Sequence, residues 1–220
     1  MQTGSGDCDV TGILLAGGRS SRMNGHEKAL LDIGGKPMLL HVLARLAPQV
    51  GHVAINANGD PARFSGHGLP VIRDSIDGYA GPLAGLHAGL AWARNETPEA
   101  CFVASVPVDS PFVPTDLVPR LKAALLAHNA ACAIASSQGE RYPVAGLWRL
   151  ELADAIEMAL NENVRALHRF ADLNQAVTVD FPLMSVGEEA IDPFFNVNAP
   201  TDLDRARALY AAQTGEAARG

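Results

Sequence analysis

Short apolar runs alternate with longer segments of helical periodicity along most of the chain. These runs have the length and composition of strands that are buried on both faces of a sheet. The predicted strands cover residues 10–16, 52–56, 69–73, 100–106, 131–136, 142–148, 177–180 and, as a last short one, 194–198.

Helices are predicted between these strands, where apolar residues recur at a spacing of three or four. Pro37 and Pro82 each open one of them, because proline suits the first helical turn. Strands that alternate with helices need crossover connections, so the sequence predicts an α/β fold with a mostly parallel sheet and helices on both faces. The other predicted helices cover residues 114–128, 151–160, 163–170 and 201–212.

The predicted elements belong to one domain over residues 10–212, because no repeat and no linker-like change of composition interrupts them. Residues 1–9 are polar and lack the charged and apolar regions of a signal peptide. They are predicted to form a flexible tail, as are residues 213–220. No apolar run approaches the roughly 18 residues of a membrane span, so no membrane association is expected.

The composition excludes a disordered chain, since 48% of the 220 residues are hydrophobic and 19% are charged. The net charge of -7 argues against a nucleic-acid partner or a membrane surface, although a local basic pocket remains compatible with it. The three cysteines are scattered without a metal-binding spacing. This pattern predicts reduced thiols and a cytoplasmic location.

A glycine-rich segment follows the first predicted strand, at the end where parallel sheets bind ligands. It reads L-A-G-G-R-S-S-R-M over residues 15–23, and Lys28 follows. Glycines let backbone N–H groups approach a phosphate, and Arg22 and Lys28 add positive charge. The segment lacks the features of a P-loop and of a dinucleotide-binding fingerprint. A plain glycine turn with solvated arginines is the alternative, but the clustered cations favour phosphate binding.

The segment resembles the signature of small-molecule nucleotidyltransferases, and within that superfamily the chain most resembles the molybdenum cofactor guanylyltransferases. The resemblance extends from residue 11 to about residue 209. It implies a Rossmann-like three-layer sandwich, the nucleotidyltransferase fold. The family usually has a cysteine where this chain has Val108. Further motifs agree in order: N-A-N at 56–58, D-S at 74–75, G-P-L-A-G at 81–85, P-V-D-S-P at 107–111 and N-V-N at 196–198.

The resemblance implies that the chain transfers GMP from GTP to molybdopterin, or to its molybdenum-loaded form, and releases pyrophosphate. It implies Mg²⁺ as the cofactor, and it allows cofactor-delivery proteins and acceptor molybdoenzymes as protein partners. The acceptor phosphate is already ionised, so the reaction requires no general base. Catalysis would rest on positioning and electrostatics.

Asp109 is the predicted metal ligand, because two prolines stiffen its loop at a strand end and a carboxylate suits a hard divalent cation. A capping role in the turn is the alternative from the residues alone. The resemblance adds Asn198 as a second metal ligand. Arg22, Lys28 and Asp109 are the predicted catalytic residues, and Arg141 is a candidate for holding the acceptor's phosphate.

The resemblance also implies the residues that bind the nucleotide. Asp74 could instead serve only as a turn residue. Residues 81–85 could instead form a rigid loop that only covers the sheet. The implied nucleotide-binding residues are Leu15, Ala16, Gly17, Gly18, Lys28, Asn56, Asp74, Gly81, Pro82, Leu83 and Asp109.

Three functions other than guanylyl transfer are alternatives for this sequence. The nearest is a CTP-dependent cytidylyltransferase of the same cofactor, or of a sugar or polyol phosphate. In the family pattern, cytidine-using relatives tend to carry alanine at the position of Gly18, and a glycine there leaves room for the larger purine. A nucleotide-binding regulator would not need the carboxylate of Asp109, and a NAD-dependent oxidoreductase lacks its fingerprint.

Overall fold

The computed structural model describes residues 9–17, 27–74 and 81–215. The strands in these ranges are β1 (Asp9–Leu15), β2 (Asp32–Ile33), β3 (Lys36–Pro37), β4 (His52–Asn56), β5 (Val71–Ile72), β6 (Ala100–Pro107), β7 (Cys132–Ser137), β8 (Glu140–Arg149), β9 (Val177–Asp180), β10 (Met184–Val186) and β11 (Glu189–Ile191). The α-helices are α1 (Met38–Leu46), α2 (Pro82–Glu96), α3 (Leu117–Ala127), α4 (Leu152–Asn161), α5 (Leu167–Leu173) and α6 (Pro200–Thr214).

The central sheet has seven strands in the order β5-β4-β1-β6-β8-β7-β9. Its first four strands are parallel neighbours, and β7 is parallel to β9. β8 is antiparallel to both β6 and β7. The prediction of an α/β fold with a mostly parallel sheet is therefore confirmed.

The reversed direction of β8 follows from a two-residue turn that the apolar pattern does not reveal. Gln138 and Gly139 link β7 to β8, and both have positive φ angles, 51° and 81°. Two successive left-handed residues are typical of a type I′ turn, which joins antiparallel strands. The hairpin brings Arg141 and Tyr142 to the edge of the sheet where β6 ends.

Helices cover both faces of the sheet, and β1 shows how the sequence assigns side chains to each face. Leu14 packs in the core that includes α1 and α3, while Ile13 and Leu15 pack in the core that includes α2, α4 and α5. This alternation is the period of two that a strand imposes on its side chains. The three-layer sandwich expected from the resemblance is present.

A third, smaller core fixes the position of the last helix. Leu203 and Leu209 of α6 pack with Ile33 of β2, Ile191 of β11 and Phe112 in the loop after β6. The two short hairpins, β2 with β3 and β10 with β11, contribute to this core. As a result, the N-terminus of α6 lies beside the loop that contains Asp109.

Residues 194–198 form a loop, so the prediction of a strand there is wrong. The backbone N–H of Val197 donates to the carbonyl oxygen of Asp109 at 2.8 Å, which ties the segment to a loop and not to a neighbouring strand.

The boundaries of the predicted tails differ from the prediction. β1 already includes Asp9, and α6 continues through Thr214 to a left-handed Gly215. The single domain over 10–212 otherwise stays a prediction.

One of the two cysteines in the described residues differs from the expectation of reduced thiols. Cys101 is disulfide-bonded, so that expectation is wrong for this residue. Cys132 is free, and its burial raises the pKa of the thiol to about 12.

No helix within the described ranges is long and apolar enough to cross a membrane.

Candidate nucleotide-binding site

Three of the predicted motifs meet at one edge of the sheet because three adjacent parallel strands end there. Leu15 at the end of β1 is in register with Asn56 of β4 on one side and with Pro107 of β6 on the other. The backbone continues these contacts beyond the strands. The N–H of Ala16 donates to the carbonyl oxygen of Asn56 at 2.9 Å, and that of Val108 donates to the carbonyl oxygen of Leu15 at 3.2 Å.

Lys28 connects this edge to the far end of the chain. Its Nζ atom lies 3.3 Å from Asp109 Oδ2 and 2.6 Å from Asn198 Oδ1. The side chains of Lys28 and Asp109 are only 22% and 23% exposed, so water screens their ion pair less than it would a surface pair. The structure thus brings together three predicted site residues from distant parts of the sequence.

Hydrogen bonds from the Asp109 loop and from α6 fix the loop that contains Asn196 and Asn198. The Ser110 hydroxyl donates to the side-chain oxygen of Asn196, next to Asp109. Asp202 in the first turn of α6 accepts hydrogen bonds from the backbone N–H groups of Asn198 and Ala199, at 2.9 and 2.8 Å. A carboxylate that binds exposed N–H groups stabilises a helix N-terminus, and here it also fixes the position of Asn198.

The oxygen atoms of Asp109 and Asn198 fit a divalent cation. Both oxygens face the same positive charge, the ammonium of Lys28. Carboxylate and amide oxygens are ligands of hard cations, and Mg²⁺ characteristically takes its remaining ligands from water and substrate phosphates. The described residues contain no group of three or more histidine, cysteine, aspartate or glutamate side chains that would hold a metal by themselves. A metal here would therefore be shared with a phosphate substrate.

Asn56 and Asp74, both predicted to contact the nucleotide, form one hydrogen-bonded network with Asn58. The Asn56 amide, which is almost completely buried, donates to Asp74 Oδ1 at 3.0 Å. The Asn58 amide donates to Asp74 Oδ2 at 2.7 Å, and its oxygen accepts from the Asp74 backbone N–H at 3.1 Å. Asn58 was not predicted as a site residue, although the N-A-N motif contained the signal.

The first turn of α2 approaches the end of β4 so closely that only glycine fits. A Cβ atom on Gly85 would lie 2.3 Å from Asn56 Oδ1. Gly81 precedes the helix with a φ of 151°, a conformation that residues with side chains rarely adopt, and Pro82 occupies the first turn. The N-terminus of α2 therefore lies at the same edge of the sheet as the ends of β1 and β4.

A cavity of about 400 Å³ lies between the end of β1, at Leu15 and Gly17, and β8. The ring of Tyr142 stacks on Phe194 with centroids 4.8 Å apart, and its hydroxyl donates to Asp192 Oδ2 at 2.8 Å. Burial, together with Asp192, raises the pKa of Tyr142 above its usual range, so it remains a neutral phenol. The polar residues of the wall are Asp109, Ser110, Glu140, Arg141, Tyr142 and Asn196.

Arg141 was predicted to meet the acceptor's phosphate, and the structure gives it a different partner. It lines the cavity, but its Nη1 atom donates to Asp172 Oδ1 at 2.7 Å. Its charge is therefore compensated within the chain. Two other predicted residues, Gly18 and Arg22, lie outside the described residues.

Comparison with known proteins establishes the family of this chain. The model of the MobA-like NTP transferase domain matches residues 12–178. The molybdenum cofactor guanylyltransferase of Bradyrhizobium sp. (strain ORS 278) is 44% identical over 98% of this chain and 100% of its own length. That of Mesorhizobium japonicum is 44% identical over 94% of this chain and 98% of its own. The chain belongs to the molybdenum cofactor guanylyltransferase family. The motif-based resemblance is confirmed, and so is its assignment as a nucleotidyltransferase.

Solved structures agree with the fold of this guanylyltransferase family member. Molybdopterin-guanine dinucleotide biosynthesis protein A from Archaeoglobus fulgidus superimposes with a TM-score of 0.68 over 92% of this chain and 98% of its own, at 22% identity. The protein Rv0371c from Mycobacterium tuberculosis, in a complex with manganese, gives a TM-score of 0.62 over 91% of this chain and 98% of its own, at 15% identity. At these identities the comparison supports the nucleotidyltransferase fold alone.

Proposed function

We propose that this protein transfers GMP from GTP to molybdopterin and releases pyrophosphate. The observation that carries the proposal is the meeting of Lys28, Asp109 and Asn198 at the nucleotide-binding edge, beside a cavity large enough for a second substrate. Family membership supplies the identity of the two substrates, since relatives of nearly equal length are guanylyltransferases of the molybdenum cofactor.

GTP would bind along the ends of β1 and β4. The backbone at Gly17, just past β1, and the N-terminus of α2 would offer it N–H groups, and Asn56 and Asp74 would offer polar side chains. Lys28 would follow the triphosphate, and Arg22 is proposed as a second cation for it. The proposed site includes all the nucleotide-binding residues that the family resemblance implies, Gly18 among them.

Asp109 and Asn198 are the residues that would hold Mg²⁺. The ion, when bound, would supply positive charge that neutralises the α-phosphate and the departing pyrophosphate. The chain's own contribution is placement: a stiff loop between two prolines presents Asp109, and Asp202 holds the backbone that presents Asn198.

The part of the cavity that faces β8 is the proposed acceptor site, while Leu15, Gly17 and Pro82 line the part next to the nucleotide. The ring of Tyr142, which stacks on the buried Phe194, would offer an apolar face to a flat heterocycle, while Ser110 and Asn196 would lie near the reacting phosphates. An ionised oxygen of the acceptor phosphate attacks the α-phosphorus of GTP. One P–O bond forms as the bond to pyrophosphate breaks, and no proton has to be removed.

Incubation with purified molybdopterin, Mg²⁺ and either GTP or CTP tests the proposal. We expect mass spectrometry to find the guanine dinucleotide and stoichiometric pyrophosphate with GTP, and at most trace product with CTP. Protein with Asp154→Asn is the control, because this exposed carboxylate pairs with Arg94 away from the site. A cytosine dinucleotide as the main product would establish the rival cytidylyltransferase, and no product with either nucleotide would contradict the proposal. Delivery proteins and acceptor molybdoenzymes remain proposed partners.

A further inference from the structure

The carboxylate of Asp74 is held by two asparagines from the neighbouring strand end. Asn56 and Asn58 are two residues apart, so both side chains can point the same way. Each donates from its amide to a different oxygen of Asp74, at 3.0 and 2.7 Å. Asn58 also accepts from the Asp74 backbone N–H at 3.1 Å, so two hydrogen bonds join these residues.

We propose that Asn58 is a positioning residue that orients the Asp74 carboxylate toward the nucleoside of GTP. The inference rests on the proposed function. Asp74 follows the short edge strand β5 and would otherwise rotate about its side-chain bonds. The two amides fix the plane of the carboxylate, and each oxygen keeps a further lone pair for a ligand. The matching ligand chemistry is an N–H or O–H donor, from the amide edge of guanine or from the ribose.

Asn58→Leu tests this role, because the change keeps the size of an exposed side chain and removes both hydrogen bonds. We expect the Kd for GTP to rise roughly tenfold, in line with the loss of a hydrogen bond to a charged group. Binding of inorganic tripolyphosphate should stay unchanged, and KM should change more than kcat. A general disturbance of the site would weaken both ligands alike.

Two nucleotide analogues identify the donor that Asp74 accepts from. Inosine triphosphate lacks the guanine amino group, and 2′-deoxy-GTP lacks one ribose hydroxyl. The wild-type protein should bind one of these more weakly than GTP, and Asn58→Leu should reduce that discrimination. Unchanged discrimination in the variant would contradict the proposal.

Asp60→Ala is the matched control for the loop itself. Asp60 is exposed, caps the same segment by accepting from the Ala62 N–H at 2.9 Å, and does not contact Asp74. An equal loss of GTP binding in both variants would show that the rigidity of the loop matters and not the Asn58 side chain, and would overturn the inference.

If Asp74→Asn weakens GTP binding while Asn58→Leu does not, the inference fails and the proposed function stands. If the wild-type protein binds no GTP, the proposed function itself fails.

Lys28 lies against both proposed metal ligands, Asp109 and Asn198. The ammonium of Lys28 contacts Asn198 Oδ1 and one carboxylate oxygen of Asp109, Oδ2, on the two side chains that would bind the cation. An ammonium and a divalent cation on the same side chains repel each other at such short distances, so they compete for these two ligands.

We infer that Lys28 occupies the cation's position until a triphosphate draws its side chain away. Without nucleotide, the metal has to compete with Lys28 for Asp109 and Asn198, which lowers the affinity of the site for the metal. A bound triphosphate offers Lys28 new anionic partners and leaves the two oxygens to the metal. Nucleotide and metal therefore bind cooperatively, and the coupling must be reciprocal.

Titration with Mn²⁺, followed by electron paramagnetic resonance, tests the coupling without turnover. Without nucleotide, Lys28→Met should bind Mn²⁺ more tightly than wild type by about an order of magnitude, which corresponds to roughly 1.4 kcal/mol. Lys36→Met, which removes an exposed lysine in β3, should leave Mn²⁺ binding unchanged.

The same titration with α,β-methylene-GTP measures the coupling itself. We expect the analogue to tighten Mn²⁺ binding in the wild-type protein by more than in Lys28→Met, after correction for Mn²⁺ bound to free nucleotide. Equal or weaker Mn²⁺ binding by Lys28→Met without nucleotide would overturn the inference. Unchanged Mn²⁺ binding by Asp109→Asn would instead contradict the metal site of the proposed function.

Discussion

Replacing Asp109 with asparagine is expected to lower guanylyl transfer by a factor of at least about 10²–10³, because the site loses the charge that would bind the metal. The substitution keeps the size of the side chain. The carbonyl oxygen of residue 109 can still accept from the Val197 N–H, so the loop should remain in place. The measurement is kcat at saturating GTP, acceptor and Mg²⁺, with a thermal melt to confirm folding.

Asp154→Asn provides the comparison for this variant. Asp154 forms an ion pair with Arg94 at 3.1 Å on an exposed surface, so the variant loses a carboxylate–cation contact outside the site. Exposed pairs of this kind contribute about 0–1 kcal/mol, and activity should be unaffected. Asp109→Asn activity within a few-fold of wild type would show that this carboxylate has no catalytic function.

Gly85→Ala is expected to raise the KM for GTP by roughly tenfold to hundredfold, with a smaller change in kcat. The new Cβ would lie 2.3 Å from Asn56 Oδ1 and 3.0 Å from Leu15 Cδ2, so the Asn56 amide has to rotate. Rotation breaks its hydrogen bond to Asp74, and a hydrogen bond to a charged group contributes about 1.5–3 kcal/mol. Alanine favours the helix by about 1 kcal/mol over glycine, which limits the loss of stability.

Gly66→Ala is the control for Gly85→Ala. A Cβ atom on Gly66 would meet no atom within 4 Å, so this change should leave the KM for GTP as it is. The test compares KM and melting temperature across the wild-type protein and both variants. An unchanged KM in Gly85→Ala would show that the close packing of α2 on Asn56 does not shape the nucleotide site.

Local patterns predicted the secondary structure well where burial alone determines it. The strands over 52–56 and 177–180 appear with the predicted bounds, and the other predicted strands, apart from 194–198, differ by a few residues. The segment 194–198 was also predicted as a strand, yet it forms a loop. A short segment forms a strand only when a neighbouring strand accepts its hydrogen bonds, and here Val197 bonds to the loop at Asp109 instead.

The sequence by itself determined the parallel α/β sheet, the family and the edge where the motifs lie, because carboxyl ends of adjacent parallel strands share one edge. It placed Leu15, Asn56 and Asp109 there correctly. It also pointed to Arg141 as a phosphate ligand, but could not show that Asp172 already pairs with it.

Only the tertiary structure decided which side chains meet in the site. Lys28 and Asn198 are 170 positions apart, and they come within 2.6 Å because α6 and the two short hairpins share a core beside the loop of Asp109. The pairing of Asn58 with Asp74 likewise depends on β4 and β5 being neighbours. Such contacts arise from the packing of distant elements, and the periodicity of any one segment carries no information about them.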